Sequence, residues 1–69
     1  MNGFALYREK AGLKQEEAAL AIGVERSTIS KWETGAAKPR ADKLVLTAKV
    51  YKCTIDDLIR EDGKGGKAS

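Results

Sequence analysis

The stretch "GVERSTISKWETG", Gly23 to Gly35, decides how this 69-residue chain is read. Two large apolar residues, Ile29 and Trp32, are threaded through hydroxyls and cations at Arg26, Ser27, Thr28, Ser30 and Lys31. Glycines stand at both ends, where a left-handed backbone can start and stop a helix. With Arg26 at 0° and an advance of about 100° per residue, Arg26, Ser30, Thr34, Ser27 and Lys31 fall between about 0° and 140°. Glu25, Thr28, Ile29, Trp32 and Glu33 fall between about 200° and 340°. The pattern predicts a helix from about Glu25 to Thr34 with Ile29 and Trp32 turned into the protein. Its opposite arc offers cations and hydroxyls and carries no acid. A helix entering the DNA major groove needs such an arc: Arg and Lys donate to guanine O6 and N7, Ser and Thr bond base edges or phosphates, and a carboxylate is repelled by the phosphates. Taken alone, the arc is more commonly just the soluble side of an ordinary amphipathic helix.

The flanking sequence adds weight to the first reading. "LKQEEAALAIG" predicts a short helix from about Gln15 to Ile22, with Glu16 and Glu17 in the first turn and Ala18, Ala19 and Ile22 facing inward. Gly23 then permits an abrupt turn directly into the next helix. Upstream, Asn2 is placed to cap a first helix with Phe4, Tyr7 and Ala11 on one face, ended by Gly12. Downstream, "AAKPR" is a loop containing the only proline, Pro39, and "ADKLVLTAKVYK" a fourth helix. "TIDDLI" is a short fifth helix capped by Thr54, with Asp57 three residues on as a shortened capping box. Period-2 alternation of β-branched residues is absent, so the chain reads as all-α: five short helices in a compact bundle, followed by a glycine-rich tail over residues 60–69.

Composition bounds the function. The net charge is +3, unevenly spread. Residues 1–25 sum to −1, residues 26–52 to +5, residues 53–62 to −3, and the remaining tail to +2. A basic middle is the footprint of a polyanion partner, although on charge alone a solvated basic face accounts for it as well. The single cysteine, Cys53, excludes an internal disulfide, and with no histidine one thiol cannot build a zinc site, so no metal or cofactor is expected. Cys53 is expected to be a buried structural thiol and Tyr51 to close the core. Asp56 and Asp57 suit the positive end of a helix dipole better than acid–base catalysis. With no phosphate loop or nucleophile–base pair, an enzyme is not expected. Nor is a membrane segment or a secretory leader, so a cytoplasmic location is the default.

In register, "QEEAALAIGVERSTISKWETG", the glycine–basic–proline loop and the closing "TIDDL" resemble the helix-turn-helix of the Cro/CI-type (XRE) family of bacterial and phage repressors. The resemblance covers about residues 4–59, with the helix-turn-helix at about 15–34, and implies the lambda-repressor-like five-helix fold. It implies that Arg26, Ser27 and Lys31 read bases and that Thr28 and Thr34 touch phosphates. Lys38 and Arg40 lie in the loop that grips the backbone. Gln15 matches a glutamine that binds phosphate and steadies a recognition-helix side chain, and Arg8 with Glu33 matches a structural ion pair. The partner implied is double-stranded DNA, bound by a homodimer on a pseudo-palindromic operator, in a repressor of phage, prophage or mobile-element type. An antitoxin or a protein-interaction adaptor on the same fold remains open; the first calls for a toxin-wrapping extension, the second for no salt-dependent binding to duplexes.

Five positions depart from the family pattern. Ala18 stands where leucine is usual, which thins the core there and leaves Phe4, Tyr7 and Trp32 to fill the volume. Glu25 replaces a Ser or Thr cap at the start of the third helix, and is able to accept from a cytosine N4 amine. Lys52 replaces a glycine, at some backbone strain. Leu20 and Leu46 replace polar residues, either as a contact surface or as scattered exposed side chains.

Overall fold

The computed structural model describes residues 2–60, which form five α-helices and no strand. They are α1 (Phe4–Lys10), α2 (Gln15–Ile22), α3 (Arg26–Thr34), α4 (Ala41–Tyr51) and α5 (Ile55–Ile59). The expected all-α five-helix architecture is the one observed. The tail read over residues 60–69 lies, apart from Arg60, outside the described residues. α2 and α3 pack on each other, α4 lies against α2, and α5 closes the bundle against α1 and α4.

The core is made of the residues that the helical spacing selects: Phe4, Ala18, Ala19, Ile22, Ile29, Trp32, Ala48, Tyr51 and Leu58 are buried. Tyr7, Leu13, Val24, Ala37, Leu44, Val50 and Cys53 pack around them half-buried. Ala18 retains no exposure, and the bulk comes from the rings of Phe4 and Trp32, whose centroids lie 5.9 Å apart at a tilt of 47°. Leu20 is 84 % exposed, and Leu46 and Val45 on α4 are also exposed.

Two junctions differ in detail from the expected ones. Gly3, not Asn2, occupies the residue position before α1, but the Asn2 side chain still does the capping: its Oδ1 accepts from the Phe4 N–H at 3.1 Å. Its Nδ2 donates to the Trp32 carbonyl at 2.9 Å, tying the start of α1 to the last turn of α3. Gly3 leaves the room this requires. Its N–H donates to the Leu58 carbonyl at 2.8 Å, and a Cβ there would stand 2.2 Å from the Asp57 carbonyl oxygen. α3 starts one residue later than the pattern indicated, at Arg26, because Glu25 has extended backbone (φ −83°, ψ 154°). Gly23, at φ 88°, makes the turn between α2 and α3, and its N–H donates to the Ala19 carbonyl.

α5 is capped as expected. The Asp57 N–H donates to Thr54 Oγ1 at 3.0 Å and the Thr54 N–H to Asp57 Oδ2 at 3.1 Å. The bond from the Thr54 N–H is the main cause holding the Asp57 carboxyl below its ordinary range. Cys53 is half-buried against the core rather than fully enclosed. Burial, then the Asp57 charge, raises its pKa, which keeps it a thiol and a poor nucleophile.

Lys52 ends α4 in the left-handed region, at φ 58° and ψ 49°, so that backbone N–H groups there can return to the Ala48 and Lys49 carbonyls. The conformation costs a side-chain-bearing residue about 1 kcal/mol or more. Lys52→Gly is therefore expected to raise the unfolding free energy by about 1 kcal/mol in denaturant melts.

Tyr51 is buried at 2 % exposure, and its hydroxyl has no hydrogen-bond partner among the described residues. Desolvation, assisted by the Glu33 charge, pushes its pKa up to about 12. A raised value means the folded state holds the phenol proton longer than the unfolded state does. The associated stability is complete below the ordinary value near 10 and drains away as pH rises toward 12. Tyr51→Phe is expected to leave stability unchanged or raised by up to about 1 kcal/mol at neutral pH. It should also flatten the decline of Tm between pH 10 and 12.

Candidate nucleic-acid interface

α3 is oriented by its apolar side. Ile29 and Trp32 are 1 % and 4 % exposed, while Arg26, Ser27 and Lys31 are exposed and Thr28 and Ser30 half-buried. The base-reading set named from the resemblance therefore lies together on one outer arc. Lys38 and Arg40 are exposed in the loop that follows, with Arg40 in extended backbone immediately before α4. The Ala37 N–H donates to the Lys31 carbonyl at 3.2 Å, folding the start of this loop back on the last turn of α3. Both cationic groups are thus held on one short continuous piece of chain.

Thr34 is engaged locally. Its hydroxyl donates to the Lys31 carbonyl at 3.2 Å and accepts from the Ala36 N–H at 3.4 Å, so its proton is committed to the end of α3. A phosphate would have to displace that bond. Glu25 is exposed and its carboxylate makes no cap hydrogen bond to α3.

Behind the arc runs a polar chain. Arg8 Nε donates to Glu33 Oε2 at 2.6 Å and Arg8 Nη2 to Glu33 Oε1 at 3.4 Å, while Arg8 Nη1 donates to the Leu13 carbonyl at 2.8 Å. The Arg8 and Glu33 side chains are 11 % and 10 % exposed. Hydrogen bonding to Glu33 is the leading cause of the rise in the Arg8 pKa, against an opposing effect of burial. Glu33 Oε1 also accepts from Gln15 Nε2 at 2.8 Å, and Gln15 Oε1 accepts from Arg26 Nη1 at 3.1 Å. One continuous sequence of hydrogen bonds therefore leads from α1 through α3 and α2 to the outer arc.

Three contributions were not apparent from sequence. Asn2 holds the Trp32 carbonyl, Gln15 joins Glu33, and Lys43 Nζ donates to the Ile22 carbonyl at 3.4 Å beside the Gly23 turn. These pairs are 30, 18 and 21 residues apart, beyond the reach of any local pattern. Among the described residues there is no group of His, Cys, Asp and Glu that could hold a metal ion, and no helix long and apolar enough to cross a membrane.

Two consecutive helices joined at Gly23, the second with its apolar side buried and its polar side free, define a helix-turn-helix domain. The helix-turn-helix family model matches residues 4–58, and the chain belongs to that family, of the XRE type. It is 38% identical over 52 residues to the HTH-type transcriptional activator BcrR of Enterococcus faecalis, covering 75% of this chain and 26% of that protein. It is likewise 38% identical over 52 residues to an uncharacterized HTH-type transcriptional regulator of Archaeoglobus fulgidus, covering 75% and 74% respectively. The match thus spans about a quarter of the first relative's length.

Removing one member of a nearly buried ion pair strands the other. Glu33→Ala is expected to destabilise the domain by about 3 kcal/mol in thermal or denaturant melts, because the Arg8 guanidinium loses its counterion where solvent barely reaches. A change below about 1 kcal/mol would place the pair among weak surface contacts.

Proposed function

We propose that this domain binds double-stranded DNA sequence-specifically and regulates transcription. α3 lies in the major groove, where Arg26, Ser27 and Lys31 meet base edges. Thr28, Thr34, Lys38 and Arg40 lie along the phosphate backbone, and Gln15 stands at the junction of the two sets. The observation that carries this reading is the division of α3: Ile29 and Trp32 are buried, and the exposed arc holds cations and hydroxyls without a carboxylate. The names of both relatives agree with it.

The mechanism is steric. Two copies on a pseudo-palindromic operator place their α3 helices in successive major grooves about 34 Å apart. Where the operator overlaps a promoter, the bound dimer excludes polymerase and represses. Lys38 and Arg40 neutralise phosphates and release counterions, which supplies affinity without sequence information. Arg26 and Lys31 supply discrimination through donors matched to guanine O6 and N7.

Selection of duplexes from a random pool, with mass measured free and bound, tests the whole reading. Recovery of a palindromic site bound by two copies is expected. On that site Arg26→Ala or Lys31→Ala should cost about 1–3 kcal/mol and relax preference at particular base pairs. Lys38→Ala should weaken all duplexes alike and reduce the slope of log K against log salt by about 1. A selected site bound by Arg26→Ala with unchanged affinity and preference would overturn the placement of α3.

A further inference from the structure

A carboxylate stands at the tip of α3. Glu25 is exposed in extended backbone (φ −83°, ψ 154°) immediately before the helix, and its side chain makes no cap hydrogen bond. It precedes the helical turns, so the burial of Ile29 and Trp32 does not turn it away from the outer arc. The neighbouring Arg26 guanidinium donates to Gln15 Oε1 at 3.1 Å, and among the described residues no ion pair joins it to Glu25. Glu33, by contrast, is committed to Arg8 and Gln15. A recognition helix meets base edges through its N-terminal residues. A carboxylate brought there is repelled by phosphates, accepts hydrogen bonds without donating any, and loses hydration that only a donor can replace.

We propose that Glu25 is a specificity-determining residue: it requires a cytosine with an unmodified N4 amine, and the domain discriminates against N4-methylcytosine at that base pair. The proposal rests on the placement of α3 in the major groove. There guanine presents two acceptors, thymine an acceptor and a methyl group, and adenine a donor beside the N7 acceptor. Cytosine presents a donor with no acceptor beside it, so it is the base that a carboxylate meets without repulsion. Base pairing uses one N4 hydrogen and leaves the other pointing into the major groove. A methyl group on N4 of the paired base takes the place of that second hydrogen and removes what Glu25 bonds. Arg26, next in the chain, carries donors alone and suits guanine, so adjacent residues call for opposite base patterns. The Glu25 charge acts against wrong sites as well, because a duplex without the cytosine leaves it unpaired beside phosphates.

The test uses the full chain and the duplex selected above, with preference measured as the affinity ratio between that duplex and its single-base variants. Glu25 is exposed and makes no cap bond, so Glu25→Ala and Glu25→Gln are expected to melt as the parent does. Glu25→Ala should lose about tenfold of the preference for cytosine at one base pair of each half-site. Glu25→Gln should move the preference at that same pair toward adenine, whose N6 and N7 match an amide. Replacing that cytosine by N4-methylcytosine should weaken the parent protein by a similar factor and leave Glu25→Ala unaffected. If Glu25→Ala tightens all duplexes alike and keeps every base preference, the carboxylate is only a repelling charge and the proposal falls. It falls too if the N4-methyl group weakens the parent and Glu25→Ala equally, since the effect is then steric. Arg26→Ala with unaltered preference is a separate result: it removes the placement of α3 itself.

Discussion

The rotational setting of α3 is the constraint on which the rest of the structure depends. Nine residues can present any side outward, and burial of Ile29 and Trp32 selects one. Each such side chain contributes about 1.5–3 kcal/mol when taken fully out of water. The setting is reinforced where Trp32 meets its neighbours: its ring lies against Phe4, and its carbonyl accepts from Asn2. A small domain buries little surface overall, so losing this side of α3 would remove a large part of what holds the fold. The same rotation that buries Ile29 and Trp32 exposes Arg26, Ser27 and Lys31, so stability and the candidate interface share one cause.

The buried polar groups do different work from the apolar ones. Bringing Arg8 and Glu33 out of water costs several kcal/mol per ion, which their attraction and hydrogen bonds roughly offset, so the pair adds little net stability by existing. What it supplies is geometry. Once Glu33 is fixed by Arg8, the Glu33 carboxylate admits one partner orientation at Gln15 and α1, α2 and α3 are held in a single register. The apolar side fixes where α3 lies, and the polar chain runs from Arg8 to a hydrogen bond with Arg26 on its outer arc.

Much of this was legible in the residues taken in order. The boundaries of α2, the turn at Gly23, the capping box of α5 and the inward set Ala18, Ala19, Ile22, Ile29 and Trp32 all follow from spacing and cap chemistry within a few residues of one another. The start of α1 was legible only in part: Asn2 does cap it, but from one position earlier, since Gly3 has to pass close to the Asp57 carbonyl. That close approach involves residues more than fifty positions apart. Cys53, read as a buried structural thiol, is half-buried against the core, because the degree of enclosure depends on how the helices on either side of it pack.

The sequence by itself determined which helices form and which side of each is apolar, because both depend on interactions within one or two turns. The tertiary structure alone decided that Gln15 reaches both Glu33 and Arg26, that Asn2 holds the end of α3, and that the Tyr51 hydroxyl is enclosed without a partner among the described residues. Hydrogen bonds are directional and lose their value within about an ångström. Whether two distant polar groups meet is therefore set by how whole helices settle against one another, and no pattern along the chain records it.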